Sequence, residues 1–262
     1  MRSLVGVDAL APQANGAAIT VGTFDGVHVG HRALIARTLD EASELGATSV
    51  LITWDRHPLA TLRPEAMPPL LTTPERKAEL IAATGIDVLV VLPFTKEFST
   101  WPPERFITDV LVALGAKSVM VGDGWRFGRK AAGDVELLAK TGVEHGFSVE
   151  GIFLAEVEGD PVSSTRVREA VGAGEMEEAH GLLARPFDVD GIVLRGDRRG
   201  TELGYPTANL AVDEDFVHPP RGIYAGRAHT HSSVRHVAAI NVGVNPTFGG
   251  DPKRTPWRVE AY

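Results

Sequence analysis

Residues 21–31 read Val-Gly-Thr-Phe-Asp-Gly-Val-His-Val-Gly-His, and the pattern around them indicates an α/β fold. It follows an apolar run, Ala17–Val21, and precedes an amphipathic pattern that begins at Ala33. The spacing predicts a strand, a tight turn and a helix. The turn then lies at the carboxyl end of the strand, where open α/β sheets bind their ligands.

The residue types in this turn suit an anion. Gly22, Gly26 and Gly30 remove side chains where a ligand would approach the backbone. Free amides at the start of the following helix favour negative charge, and His28 and His31 add two hydrogen-bond donors. The alternative interpretation is a tight turn that carries two surface histidines.

The composition is that of an ordinary globular protein, with 44% hydrophobic and 23% charged residues in a chain of 262. The chain has no cysteine, which excludes disulfides, thiolate nucleophiles and zinc–thiolate sites. A net charge of −8 argues against nucleic acid as a partner. No apolar run approaches the roughly 20 residues that span a bilayer, and the N-terminus becomes polar too soon for a signal peptide. We expect a cytoplasmic protein without a membrane partner, as a monomer or weak homo-oligomer.

The pattern of apolar and polar residues changes near residue 185. Up to about Ala184, short apolar runs alternate with helical stretches, which predicts an α/β domain with a Rossmann-like parallel sheet covered by helices on both faces. The predicted strands are Ala17–Gly22, Ser49–Trp54, Val88–Leu92, Ser118–Gly122 and Phe147–Phe153. The predicted helices are Arg32–Leu45, Pro74–Ala83, Pro103–Leu114, Asp134–His145, Thr165–Ala173 and Met176–Leu183, with a surface loop at Arg63–Pro74.

After residue 185 short β-rich runs alternate with Gly, Pro and Asn turns, which is typical of a small antiparallel β-barrel. These runs are Phe187–Leu194, Gly222–Ala228, Val237–Val242 and Trp257–Tyr262. We therefore predict two domains, 1–185 and 186–262. The chain stops at Tyr262 inside an apparent strand, so we expect the barrel to be incomplete and the sequence to be C-terminally truncated.

A second polar cluster, 162–168, reads Val-Ser-Ser-Thr-Arg-Val-Arg and lies where a turn becomes a helix. Capping would explain one hydroxyl there. It does not explain two arginines, because the helix dipole disfavours cations in the first turn. Arginines at that end fit an anion shared with the neighbouring hydroxyls and amides. We therefore predict phosphate binding by Ser163, Ser164, Thr165, Arg166 and Arg168.

These two clusters together resemble the paired motifs of the nucleotidylyltransferase superfamily. The neighbouring sequence narrows the resemblance to the adenylyltransferase module of the bacterial bifunctional riboflavin kinase/FAD synthetases. The segments that carry it are Gly22-Thr-Phe-Asp-Gly-Val-His28, Thr53-Trp-Asp-Arg-His-Pro58, Leu71-Thr-Thr-Pro-Glu-Arg-Lys77 and Val121-Gly-Asp-Gly-Trp-Arg-Phe-Gly128.

The resemblance implies that a phosphate oxygen of FMN attacks the α-phosphorus of ATP and that pyrophosphate leaves. It implies that His28 and His31 contact ATP phosphates, that His31 stabilises the pentacoordinate state, and that Arg168 helps to hold the triphosphate. Mg²⁺ would bridge the phosphate oxygens. The further residues implied are Gly22, Phe24 and Gly30 for ATP, and Asp123, Trp125 and His57 for the flavin, where His57 has an equally simple structural interpretation.

Two positions depart from the family pattern, and both concern the flavin. Gly124 stands before the aromatic residue where the family usually has Asn or Asp, although Asp123 is adjacent. Arg56 replaces a proline in the loop that contains His57. We expect these changes to affect flavin affinity more than the type of reaction.

The second half carries its own motif around Thr207 and Asn209. In an extended conformation both side chains project from the same face, where they could serve Mg²⁺ and phosphate; the alternative is a simple turn. Leu203-Gly-Tyr-Pro-Thr-Ala-Asn209, Gly222-Ile-Tyr-Ala225 and Ala239-Ile-Asn-Val-Gly-Val-Asn-Pro-Thr-Phe248 resemble the riboflavin kinase module.

That second resemblance implies a catalytic base, which matches Glu260. Transfer of a phosphoryl group to the ribityl hydroxyl of riboflavin requires a carboxylate that accepts its proton. By alternation along the strand, Glu260 shares a face with Arg258 and Tyr262; without the resemblance it would be an ordinary solvent-facing residue.

The resulting hypothesis is an enzyme of flavin cofactor synthesis that uses ATP to convert riboflavin to FMN and FMN to FAD. Because the barrel is expected to be incomplete, we expect weak kinase activity if the chain truly ends at residue 262. Two alternatives stay open: a nucleotidylyltransferase that acts on another phosphorylated acceptor, and a catalytically silent flavin-nucleotide sensor.

Overall fold

The computed structural model describes residues 1–153, 155–194, 207–229, 235–244 and 257–262. These residues fall into two compact units. The first comprises Met1–Pro68, Pro74–Ser164 and Leu182–Ala184, and the second comprises Pro69–Thr73, Thr165–Gly181 and the described part of Arg185–Tyr262.

A six-stranded parallel sheet forms the first unit. Its strands are β1 (Arg2–Val5), β2 (Ala17–Val21), β3 (Thr48–Trp54), β4 (Val88–Leu92), β5 (Ala116–Gly122) and β6 (Ser148–Ile152), in the order β1-β4-β3-β2-β5-β6. All residues of β2 are buried, and alternate ones enter different apolar clusters: Ile19 packs into one and Ala18 into the other. The sheet is therefore covered on both faces, as predicted.

The helices of this unit are α1 (Val29–Leu45), α2 (Pro58–Leu62), α3 (Pro74–Ala82), α4 (Pro103–Phe106) and α5 (Val135–His145), with short 3-10 segments at Val7–Ala9, Pro64–Ala66, Phe98–Thr100 and Arg129–Ala131. Helices α1, α3 and α5 begin and end near predicted positions, whereas α2 was not predicted. The prediction of a regular α-helix over Pro103–Leu114 was wrong. After Phe106 the chain continues as a π-helix, Ile107–Val112, which buries Ile107, Val110 and Leu111. Within the described ranges, no helix has the length and apolar character needed to cross a membrane.

The strand order reverses beside β2. The chain proceeds from β2 to β3 and β4 on one side of the sheet, and β5 and β6 then pair on the other side. The carboxyl ends of β2 and β5 thus lie at a topological switch point, where open α/β sheets form their binding crevice. A small hairpin, β7 (Glu156–Val157) and β8 (Asp160–Pro161), follows β6.

The second unit contains an antiparallel sheet, as its sequence texture predicted. Its strands are β9 (Ile192–Leu194), β10 (Ala208–Ala211), β11 (Gly222–His229), β12 (Arg235–Val244) and β13 (Trp257–Ala261), in the order β11-β12-β13-β10-β9. Val212, Val242 and Val259 form its buried apolar cluster. Among the described residues this sheet does not close into a barrel. Most of α6 (Ser164–Ala173) and α7 (Met176–Leu183) also belongs to this unit.

Two further local predictions were wrong, and one edge strand was missed. The strand expected from Phe187 begins only at Ile192, where pairing with β10 starts. The segment Arg63–Pro74 is not simply a surface loop, because Leu71 is buried and the backbone of Leu70 bridges to Phe216. Strand β1 was missed, since it lies at the sheet edge, where little of it is buried.

Candidate active site

The turn after β2 contains a run of left-handed backbone. Phe24 has φ 52°, Gly26 has φ 80° and Val27 has φ 41°. A left-handed conformation costs a residue with a side chain about 1–2 kcal/mol, and most for a β-branched one such as valine. Phe24 and Val27 are fully buried, so packing holds the turn in this shape. Strain of this kind concentrates at functional sites.

His28 is the N-cap residue of α1 and is fixed by the start of that helix. Its Nδ1 accepts a hydrogen bond of 3.3 Å from the backbone N–H of His31, and its side chain is almost entirely buried. A nitrogen that accepts this bond carries no proton, so the neutral ring bears its proton on Nε2. His28 therefore presents an N–H donor at the far end of the ring.

His31 lies directly against His28. The two imidazole rings stack with centroids 3.6 Å apart and an interplanar angle of 15°, and the ring of Phe24 lies 5.0 Å from that of His31. Burial lowers the pKa of His31 well below its ordinary value, and the neighbouring His28 and the ammonium of Lys77 lower it further. His31 is thus neutral at pH 7 and acts as a hydrogen-bond donor and acceptor rather than as a cation.

One atom of His31 lacks a partner. Its Nδ1 is buried and has no hydrogen bond to the described part of the chain. Buried polar atoms in native proteins are nearly always satisfied. An unsatisfied ring nitrogen beside the switch point therefore suits contact with a substrate atom.

The second predicted cluster meets the first at Ser164. The hydroxyl of Ser164, where α6 begins, donates a hydrogen bond of 2.9 Å to the backbone carbonyl of Asp25. A Cβ on Gly30 would stand 3.2 Å from the ring of His28 and 3.6 Å from the carbonyl oxygen of Val162. Gly30 therefore allows this close approach of the two segments, and its contact with ATP stays a prediction, as does that of Ser163.

The rest of that cluster is placed in the second unit. The Nε of Arg166 pairs with Glu178 at 2.9 Å, and the Nε of Arg168 donates to the carbonyl of Pro69 at 2.6 Å. Thr165 is exposed. These contacts orient both guanidinium groups within the second unit, and their role toward a triphosphate stays a prediction.

The residues predicted for the flavin follow β5 and β3. Asp123 is exposed, and its carboxylate accepts a hydrogen bond of 2.9 Å from the backbone N–H of Gly124. The glycine that departs from the family pattern thus lies in a turn that this hydrogen bond holds. Trp125 stacks on Phe127 with centroids 4.6 Å apart. Both aromatic residues belong to a wall of rings that sequence reasoning missed, because its members come from distant segments: Trp54, Phe94, Phe98, Trp101, Phe106, Trp125 and Phe127.

His57 has a structural role in this site. Its Nδ1 accepts a hydrogen bond of 3.2 Å from the N–H of Leu59 and caps α2. The substituted residue Arg56 is exposed and forms an ion pair of 2.9 Å with Asp55. The structure thus supports the interpretation of His57 as a structural residue that caps a helix. Its contact with the flavin stays a prediction.

Lys77 also lies at this site, although the sequence did not single it out as a functional residue. It extends from α3 to the carboxyl ends of β2 and β3, where its Nζ donates to the carbonyl of Thr23 at 3.3 Å, the hydroxyl of Thr53 at 3.3 Å and the carbonyl of Trp54 at 3.2 Å. Burial lowers the pKa of Lys77, and the charges of Asp25 and Asp55 oppose that shift. The signal in the sequence was its place in the motif 71–77.

In the second unit three polar residues lie in one row across neighbouring strands. Asn209 on β10 is paired with Glu260 on β13, which is paired in turn with Asn241 on β12. Directly opposite residues of an antiparallel pair share a face, with Cβ atoms about 4.5–5.5 Å apart. This face lies opposite the one that Val242 and Val259 bury.

The row offers amide and carboxylate oxygens, which are of the kind that Mg²⁺ accepts, usually together with substrate phosphates. Thr207 precedes β10 and is exposed, and the residues before it, 195–206, lie outside the described part. Asn241 was missed because the motif that contains it does not reveal its partner strand.

The sheet with its switch-point histidines defines a nucleotidyltransferase-type α/β domain, followed by a separate antiparallel unit with a polar row. The family model for FAD synthetase matches residues 10–166, and the one for riboflavin kinase matches residues 183–262. The chain belongs to the family of bifunctional riboflavin kinase/FMN adenylyltransferases, which confirms the resemblance seen in the motifs.

Three bacterial relatives carry this family name. The protein from Listeria monocytogenes is 36% identical over 89% of this chain and 74% of its own length. The Pseudomonas fluorescens protein is 36% identical over 97% and 81%, and the Escherichia coli protein is 34% identical over 92% and 76%. A crystal structure described as a macrolide-efflux protein from Streptococcus pneumoniae matches all of this chain and 85% of its own, with a TM-score of 0.85 and 25% identity.

Proposed function

We propose that this chain converts riboflavin to FMN in its second unit and FMN to FAD around the turn after β2, with ATP as the co-substrate of both reactions. The observation that carries the proposal is the stacked pair His28–His31 at the switch point, joined through Asp25 to Ser164. Family membership supplies the two substrates.

In the adenylyl transfer, a phosphate oxygen of FMN attacks the α-phosphorus of ATP, the bond to the β-phosphate oxygen breaks, and pyrophosphate leaves. The phosphate of FMN is already ionised near pH 7, because its second pKa is about 6. No protein base is then needed. The work left to the protein is in-line positioning and stabilisation of the charge that develops on the α-phosphate.

His28 and His31 suit that work as hydrogen-bond donors. The cap bond at Nδ1 fixes the direction of the Nε2–H of His28, and His31 is held by the stack against it. We assign charge stabilisation in the transition state to His31. Gly22, Phe24 and Gly30 would line the ATP site, with Ser163, Ser164, Thr165, Arg166 and Arg168 on the triphosphate, and Asp123, Trp125 and His57 toward the flavin.

In the phosphoryl transfer, the ribityl hydroxyl of riboflavin attacks the γ-phosphorus of ATP and ADP leaves. Glu260 accepts the hydroxyl proton in our proposal. Asn209 faces it across the strand pair and, with Thr207, would hold Mg²⁺ through oxygen atoms. When bound, the ion would neutralise charge on the phosphate oxygens.

The experiment that tests the adenylyl half is product analysis with FMN as the acceptor. Protein, Mg²⁺, ATP and FMN should yield FAD and pyrophosphate in equal amounts. Release of pyrophosphate only with a different phosphorylated acceptor would favour the first alternative. Tight binding of FMN and ATP without any turnover would identify a flavin-nucleotide sensor instead.

Several finer expectations belong to the same proposal. They are the requirement for Mg²⁺, a place in the cytoplasm, a monomeric or weakly self-associating state, no nucleic-acid partner, and domains that divide at residue 185. A magnesium titration of each half-reaction and the sedimentation behaviour of the protein test the first and third of them.

A further inference from the structure

We propose that Lys77 is a positioning residue for adenylyl transfer, which acts by tying the strained turn 23–28 to the end of the neighbouring strand β3. The inference rests on the proposed function of the turn. It concerns a residue that contacts none of the reacting atoms in our scheme and that reaches the site from a different element, α3.

The ammonium group of Lys77 has a hydrogen-bond partner for each of its donors. An ammonium has three N–H donors, and Lys77 has three acceptors within 3.2–3.3 Å: the carbonyls of Thr23 and Trp54 and the hydroxyl of Thr53. Two of these acceptors lie on β3 or its end and one lies on the turn after β2. With its donors engaged in this way, Lys77 acts on the backbone of the site rather than as a phosphate ligand.

The carbonyl of Thr23 is held from two sides. Its carbonyl also accepts a hydrogen bond of 3.0 Å from the hydroxyl of the buried Thr53, so Thr53 and Lys77 hold the same oxygen. The next residue, Phe24, already has a left-handed φ. The two bonds therefore fix the backbone where the turn begins to depart from extended geometry, and that turn ends at the cap residue His28.

The charge of Lys77 also acts on His31. Lys77 is one of two charged or titratable neighbours that lower the pKa of His31, after burial itself; the other is His28. Asp25 and Asp55 act on Lys77 in the opposite direction and favour its charged form. Loss of the ammonium would therefore both loosen the turn and raise the pKa of His31.

The test compares Lys77→Met with Lys140→Met, which removes an exposed lysine from α5 of the same unit. Displacement of a reacting group by about 1 Å can cost a hundredfold in rate. We expect Lys77→Met to lower kcat for FMN adenylylation by roughly tenfold to a hundredfold with little change in KM for ATP, and we expect Lys140→Met to have no effect.

A second readout is the titration of His31 by NMR of histidine-labelled protein, with the signal assigned by its loss in His31→Gln. Lys77→Met should shift the midpoint of His31 to higher pH, and Lys140→Met should not. A kcat within twofold of the parent, or an unchanged His31 midpoint, would overturn the proposal. If the parent chain makes no FAD, the proposed function fails, while the His31 midpoint still decides whether Lys77 acts on this site.

Should Lys77→Met fail to fold, Thr53→Val decides the question. It removes the hydroxyl that contacts both Lys77 and Thr23 and keeps the ammonium in place. A severalfold loss of kcat with a native melting temperature supports the proposal, and full activity contradicts it.

Discussion

The hydroxyl of Ser164 donates a hydrogen bond of 2.9 Å to the backbone carbonyl of Asp25, across 139 positions of sequence. This bond joins the serine cluster to the strained turn that presents His28. Two motifs that are separate in the chain are thus in contact within the first unit.

Removal of that bond in Ser164→Ala should weaken both fold and catalysis. A hydrogen bond of this kind contributes about 0.5–1.5 kcal/mol to stability, and we expect FMN adenylylation to fall about tenfold because the turn shifts. Ser99→Ala is the matched control, since the hydroxyl of Ser99 bonds the carbonyl of Lys96 in an exposed turn. Denaturant unfolding and initial rates measure the two effects, and equal rates for both variants would refute the role of Ser164.

His31→Ala should abolish most FAD formation and spare FMN formation. Loss of a charge-stabilising donor typically costs about 10²–10³ in rate. Riboflavin phosphorylation depends on the second unit and should stay within twofold of the parent. If both activities fell together, the two reactions would not use separate sites.

Glu260→Gln should have the opposite selectivity. A general base contributes about 10²–10⁴ in rate, so riboflavin phosphorylation should fall by that factor while FMN adenylylation continues. Glu214→Gln, an exposed acid of the same unit, serves as the control. Unchanged phosphorylation in Glu260→Gln would remove Glu260 from the mechanism.

The pKa of His31 predicts a pH dependence of stability. An unfolded histidine takes up a proton as the pH falls through about 6.5, whereas folded His31 resists protonation until a lower pH. The unfolded state then binds more protons, so the free energy of unfolding decreases as the pH falls below about 6.5. Urea unfolding at pH 7.5 and 5.5 should show a smaller decrease in His31→Gln, and an identical decrease would contradict the neutral, buried state of this ring.

The first unit could be predicted from its sequence because local patterns encode it. Alternating apolar runs predicted five of its six parallel strands, and the pattern after Ala17–Val21 predicted both the turn and the helix that follows His28, which begins at Val29 rather than at Arg32. The edge strand β1 escaped because an edge strand need not bury a continuous apolar face.

Long-range partners were harder to predict. The contacts of Lys77 with Thr23, Thr53 and Trp54 depend on how α3 packs against the sheet, and no local periodicity reports that. The same holds for the row that contains Asn241, because strand register is a property of the assembled sheet. His57 was ambiguous in sequence for a different reason, since a cap and a ligand use the same residue type.

We expect one chain to perform two different transfers from ATP. The decisive experiment incubates the protein with riboflavin, excess ATP and Mg²⁺ and separates the flavins and nucleotides by chromatography. FMN should rise and then give way to FAD, with one ADP and one pyrophosphate released for each FAD formed. Riboflavin that stays unchanged, or FMN that accumulates without FAD or pyrophosphate, would contradict it.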